Sequence, residues 1–198
     1  MSLPNAITLS RIPAMFVIAA LMFATWPGAA TLAFWLFIAA AVGDWLDGHI
    51  ARTRGLVSTF GKLMDAMADK IMVMGIVVAL VEKHQINLML ALVVLCREFL
   101  VTGMRMVAAT KGVVVAADSG GKTKTLTLLI ALGFYLGAPM LLLDGSTFFH
   151  WDASRATGYL LTAGGVFFIA GTLLSVWSGT RYFVRNAKVV FAEEAALP

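Results

Sequence analysis

Apolar runs of about twenty residues recur along almost the whole of this chain, and that is the length an α-helix needs to cross a bilayer's hydrocarbon core. Of its 198 residues, 60% are hydrophobic and 13% are charged, whereas a soluble domain carries about a quarter charged residues. The runs predict membrane spans over residues 12–26, 29–41, 58–81, 86–110, 125–143 and 153–177. The second helix is expected to continue to Arg52 and the last to Lys188. Six spans leave no room for a separate soluble domain. The expected fold is one all-α integral membrane domain over residues 1–198, a bundle of six transmembrane helices with a cytoplasm-facing polar cavity. No cleavage site follows the first run, whose basic flank is Arg11 alone, so it reads as an uncleaved span.

Turn residues punctuate the runs. Trp26-Pro27-Gly28 is an interfacial turn with an aromatic anchor, Glu82 to Gln85 is a short polar turn, and Asp144 to Asp152 is a polar loop. Pro139 is a possible kink in the fifth span. An even number of spans puts both termini on one side, and loop charge selects which. Arg11, Arg52, Arg54, Lys62, Lys111, Lys122, Lys124, Arg181, Arg185 and Lys188 share that side, against Lys83 and Arg155 on the other. This positive-inside bias places both termini in the cytoplasm. The net charge of +4 therefore reports orientation and attraction to anionic lipid, and no nucleic-acid partner is expected. The single cysteine, Cys96, excludes an intramolecular disulfide and is expected in packing.

Within this apolar chain, four of the eleven acidic residues fall between positions 44 and 69. Charges in apolar surroundings are costly and need a reason. Asp44 and Asp47 are three apart and Asp65 and Asp69 four apart, so each pair shares one face of its helix. A helical hairpin would aim the four carboxylates at one point, and their repulsion calls for a divalent counterion. Aspartates are hard oxygen donors suited to Mg²⁺ or Mn²⁺, and no Cys or His supports a softer metal there. Few-ligand sites of this kind complete their shell with phosphate, and two metals can bridge a pyrophosphate. Residue chemistry alone thus favours metal-dependent transfer of a phosphate-bearing group. Gly48, Ala51 and Gly61 fit either close helix packing or close approach of a ligand.

The full pattern is Asp44-x2-Asp47-Gly48-x2-Ala51-Arg52-x8-Gly61-x3-Asp65-x3-Asp69. It resembles the signature of the CDP-alcohol phosphatidyltransferases at every fixed position. That resemblance implies transfer from a CDP-linked donor to an alcohol, with release of CMP, on a six-span and commonly dimeric scaffold. It further implies that Asp44, Asp47, Asp65 and Asp69 hold two metals, with Asp69 also the catalytic base. Asp47, Gly48, Ala51 and Arg52 would hold the nucleotide, and Gly61, Asn5 and Thr8 are further donor-side candidates.

Three more stretches bear on the acceptor: Leu3-Pro4-Asn5-x2-Thr8-x2-Arg11, Arg97-Glu98-x4-Gly103-x-Arg105, and Ser119-x-Gly121-Lys122-x-Lys124-Thr125. Together they resemble the branch of the family that joins CDP-diacylglycerol to sn-glycerol 3-phosphate. A phosphorylated acceptor needs cationic partners, which makes Arg11, Arg97, Arg105, Lys122 and Lys124 the expected acceptor-phosphate residues. Arg97 also fits a structural pair with Glu98, and Lys122 and Lys124 also fit plain positive-inside charge. The sibling readings are other acceptors: inositol phosphate, serine or phosphatidylglycerol. A cation-coupled transporter is a different class, disfavoured by one-sided charge and the lack of an inverted repeat. The expected location is the bacterial inner membrane, with the active site on the cytoplasmic side and a homodimer as the assembly.

Overall fold

The computed structural model describes the backbone of residues 3–54, 59–110, 119–145, 147 and 152–191. Within these it describes the side chains of 10–43, 67–68, 70–108, 121, 123–145, 147 and 152–187. The described residues form long helices and no strand: α1 (Leu3–Phe23), α2 (Ala29–Arg54), α3 (Thr59–Glu82), α4 (Leu88–Thr110), α5 (Ser119–Pro139) and α6 (Ser154–Phe191). A π-helical turn, Met140–Gly145, follows α5. Among the described residues, two stretches are long and apolar enough to cross a membrane, Thr123–Gly145 and Ser154–Ala187, with shorter apolar stretches at Ser10–Phe23 and Ala29–Gly43.

The helix ends follow from local chemistry. Between α1 and α2, Gly28 takes φ +96°, a left-handed conformation that glycine adopts without strain. The end of α3 is closed by His84 N–H to Val81 O at 2.9 Å and Gln85 N–H to Leu80 O at 3.0 Å. This is a Schellman pattern, with His84 at φ 56° where glycine is usual. Lys83 Nζ donates to the Met22 carbonyl at 2.5 Å, tying that turn to the end of α1. Asn87 Oδ1 accepts from Met89 N–H at 2.8 Å and caps α4. Asp152 Oδ1 does the same for Ser154 N–H at 3.0 Å at the start of α6.

The helices pack in a ring. α1 lies against α2 and α3, α2 against α5, α5 most extensively against α6, α6 against α4, and α4 against α3. Inside the ring sits an apolar core that includes Ile18, Phe37, Ile76, Val94, Leu132 and Phe168, each almost wholly buried. Glycines let the closest pairs approach: an added Cβ at Gly171 on α6 would stand 2.8 Å from Leu128 of α5, and one at Gly75 on α3 would collide with Met15 of α1. Small residues serve this role where helices cannot be driven together by water. Large apolar side chains such as Phe16, Trp35, Phe99, Tyr159 and Leu173 are exposed on the outside, as suits a lipid-facing surface.

Three sequence expectations change. Asp144 was placed in a polar loop, but it belongs to the π-helical turn and is buried. Its carboxylate accepts from Gly28 N–H at 2.8 Å, Thr31 N–H at 2.7 Å and Thr31 Oγ1 at 2.6 Å. It therefore caps α2 from more than a hundred residues away, where the first N–H groups of a helix lack intrahelical partners. Pro139 marks the transition into the wider turn rather than a simple kink. Its ring cannot sit against the carbonyl four residues earlier in a regular α-helix. Cys96, expected in packing, is exposed on α4.

Candidate functional site

The four aspartates lie on two consecutive helices that both pack against α1. Asp44 and Asp47 occupy the second half of α2, and Asp65 and Asp69 the first half of α3. At about 1.5 Å per residue, Asp44 stands roughly 15 Å from the end of α2 and Asp69 roughly 15 Å from the start of α3. Asp47 and Asp65 stand roughly 10 Å and 9 Å from the same two ends. The side chains of these four residues lie outside the described residues, as do those of Asn5, Thr8, Gly48, Ala51, Arg52, Gly61 and Lys122. Asn5 and Thr8 fall on the first turns of α1, Gly48, Ala51 and Arg52 near the end of α2, Gly61 near the start of α3, and Lys122 on the first turn of α5.

The side chain of Lys70, one residue past Asp69, is described, and there a network of charged and polar groups joins four helices. On α3, Lys70 Nζ donates to Thr102 Oγ1 of α4 at 2.5 Å. Thr102 Oγ1 in turn donates to the Glu98 carbonyl at 2.7 Å. The Glu98 carboxylate accepts from Arg97 Nη1 at 2.9 Å and forms an ion pair with Lys124 of α5. Arg97 reaches α6, where Nε donates to the Ser175 carbonyl at 2.9 Å and Nη2 to Ser178 Oγ at 2.8 Å. Gly179 makes that possible, because an added Cβ would stand 2.9 Å from Arg97 Cγ. Glu98 and Lys124 are both buried. Removing ions from water costs several kcal/mol each unless they are paired and hydrogen-bonded, and this network supplies both.

Arg105 lies two helical turns further along α4 and also turns to α6, with its guanidinium carbon 5.4 Å from the centre of the Tyr182 ring. Arg97 and Arg105 thus share the face of α4 that meets α6, as their spacing predicts. Arg105 Nε and Tyr182 Oη are both buried without a hydrogen-bond partner. Arg11 is buried on α1, away from the membrane-exposed surface. A cavity of about 30 Å³, lined by Lys70, Glu98, Lys124 and Thr125 on its polar side, opens beside the network. Sequence reasoning missed Lys70, Thr102, Ser175, Ser178 and Gly179. A basic residue directly after the last aspartate was the one visible signal among them.

Comparison with known proteins decides the family. The model of the CDP-alcohol phosphatidyltransferase domain matches residues 1–177. The chain belongs to the CDP-alcohol phosphatidyltransferase family. It is 33% identical over 184 residues to the CDP-diacylglycerol–glycerol-3-phosphate 3-phosphatidyltransferase of Rickettsia typhi, covering 92% of this chain and 95% of that relative. It is 38% identical over 147 residues to the Bacillus subtilis protein of the same name, covering 68% and 76%. An Arabidopsis thaliana protein, CDP-diacylglycerol–glycerol-3-phosphate 3-phosphatidyltransferase 2, is 32% identical over 208 residues, covering 96% and 81%. A CDP-alcohol phosphatidyltransferase is a divalent-metal-dependent membrane enzyme, and the apolar helices of this chain accord with membrane association.

Proposed function

We propose that the chain is a CDP-diacylglycerol–glycerol-3-phosphate 3-phosphatidyltransferase. It transfers the phosphatidyl group of CDP-diacylglycerol to sn-glycerol 3-phosphate and releases CMP, a step of phospholipid synthesis. The observation that carries this reading is the shared name of relatives matched over nearly their full length, together with an intact Asp44–Asp69 signature.

The donor set fits a hard divalent cation. Asp44, Asp47, Asp65 and Asp69 offer only oxygen, and they fall on two consecutive helices, α2 and α3. These four residues would hold Mg²⁺ or Mn²⁺, two ions in the favoured reading. When bound, the cations supply positive charge against the pyrophosphate of the donor. Asp47, Gly48, Ala51 and Arg52 hold the nucleotide, with Gly61, Asn5 and Thr8 beside it. Asp69 takes the proton from the acceptor hydroxyl. That oxygen attacks the phosphorus bearing the diacylglycerol, and the bond to the CMP oxygen breaks. Arg97, Arg105, Lys122, Lys124 and Arg11 supply the positive field for the acceptor phosphate.

Loop charge supports six membrane crossings, with both termini and the active site cytoplasmic. In a bacterium that membrane is the inner one, and the family resemblance supports a homodimer. The deciding experiment measures CMP release by the purified protein in lipid micelles containing CDP-diacylglycerol and Mg²⁺. sn-Glycerol 3-phosphate should support turnover, while serine, inositol phosphate and phosphatidylglycerol should not. Turnover with one of those three, and none with sn-glycerol 3-phosphate, would replace the acceptor assignment.

A further inference from the structure

Glu98 is an acid in a neighbourhood that otherwise gathers cations. Its carboxylate meets Arg97 from its own helix and Lys124 from α5, and its carbonyl receives the Thr102 hydroxyl that also holds Lys70 of α3. Arg97 carries the connection on to α6 through Ser175 and Ser178. One residue therefore links α3, α4, α5 and α6 at the level of Lys70, the neighbour of Asp69. A cavity of about 30 Å³ opens beside it. With its carboxylate engaged by Arg97 and Lys124, Glu98 acts on those cations rather than on substrate.

Two features separate this arrangement from ordinary core packing. Ionic partners are long side chains with much rotamer freedom, and a shared carboxylate removes that freedom. The joined groups also include two of the cations assigned above to the acceptor phosphate. Without Glu98, Lys124 and Arg97 would keep their charge and lose the carboxylate that holds them together. We propose that Glu98 is a positioning residue for acceptor recognition, fixing Arg97 and Lys124 so that a phosphate-bearing acceptor is met by cations already in place. The inference rests on the proposed transferase reaction and adds to it a residue that does not itself bind substrate.

The test is steady-state kinetics on the full-length protein, varying sn-glycerol 3-phosphate and CDP-diacylglycerol separately. Glu98→Gln keeps a hydrogen-bond acceptor for Arg97 and removes the charge that holds Lys124. It should raise KM for sn-glycerol 3-phosphate about tenfold, the scale of one charge-assisted interaction. KM for the lipid donor should stay within about twofold of wild type by the same conversion. Glu98→Asp, which restores the charge on a shorter arm, should recover part of the loss. If Glu98→Gln does not fold, Glu98→Asp alone decides, and an unchanged acceptor KM there overturns the inference. A fall in kcat or thermal stability with both KM values unchanged also overturns it, since that is what a purely structural role would give. Wild-type protein that releases no CMP with sn-glycerol 3-phosphate would overturn the proposed reaction, and this inference with it.

Discussion

Glu98 and Asp144 are both buried carboxylates, one midway along α4 and one beside the start of α2, held by different kinds of partner. Asp144 accepts from two backbone N–H groups and one hydroxyl at the start of α2. Those donors are fixed by the helix itself, so Asp144 meets a ready-made positive site. Glu98 instead holds the ends of flexible arginine and lysine side chains from two helices. The difference teaches that one chemical group can serve two ends. Against rigid donors a carboxylate secures a helix, and against mobile cations it orders charge. Only the second arrangement sits beside the turn of α3 that carries Asp69, the proposed base.

The largest expected effect lies at the proposed base and shows how far the two regions differ. Asp69→Asn keeps the shape of the side chain and removes the base, so kcat should fall by at least about 10²-fold, the usual scale for a general base. Donor binding, measured by CMP or CDP-diacylglycerol titration, should survive. Substantial residual turnover would remove Asp69 from the base role.

Asp144→Ala should do the reverse, lowering stability while leaving the activity of the folded fraction near wild type. Three bonds are lost and two N–H groups of α2 are left without a partner, a cost of about 2 kcal/mol. Thermal unfolding in detergent, set beside specific activity of the folded fraction, checks the separation. If activity falls while the melting temperature holds, the contrast between the two regions fails.

Gly179→Ala sharpens the contrast from the Glu98 side. The new methyl would stand 2.9 Å from Arg97 Cγ and 3.0 Å from its Nε. Arg97 must then shift away from Ser175 and Ser178, at a cost of about 1 kcal/mol. The acceptor KM should rise more than the donor KM, and acceptor titrations of the variant would show it.

The smallest effect belongs to Asp152, the exposed cap of α6. The Ser154 hydroxyl and then the Ser154 N–H hold its carboxyl below the usual aspartate range. A carboxyl whose folded value is depressed contributes stability that is present above its unfolded value and lost as pH falls through the folded one. Asp152→Asn should therefore lower stability slightly at neutral pH, with the difference from wild type vanishing as pH falls below the normal aspartate range. Melting curves from neutral pH to acid would reveal it, and a difference that persists unchanged in acid would contradict it.

Much of this architecture is legible in the residues themselves. Apolar runs of bilayer length marked helices whose ends fall close to most of those observed, because apolar length and turn residues are local properties, though α1 begins nine residues and α5 six residues before its run. The spacing of Asp44, Asp47, Asp65 and Asp69 likewise carried the reaction class, because a helix fixes the relation between residues three and four apart. Arg97 and Arg105 could be placed on one face for the same reason. What the sequence alone left undecided is partnership between distant segments. Asp144 looked like a loop residue because its partners, Gly28 and Thr31, stand on another helix. Lys70, Ser178 and Gly179 were silent because their meaning depends on how α3, α4, α5 and α6 cross. Periodicity determines which face a helix presents, but only packing determines what waits there. That is why the reaction could be inferred from the Asp44–Asp69 stretch, while the residues that hold its cations in place required the tertiary structure.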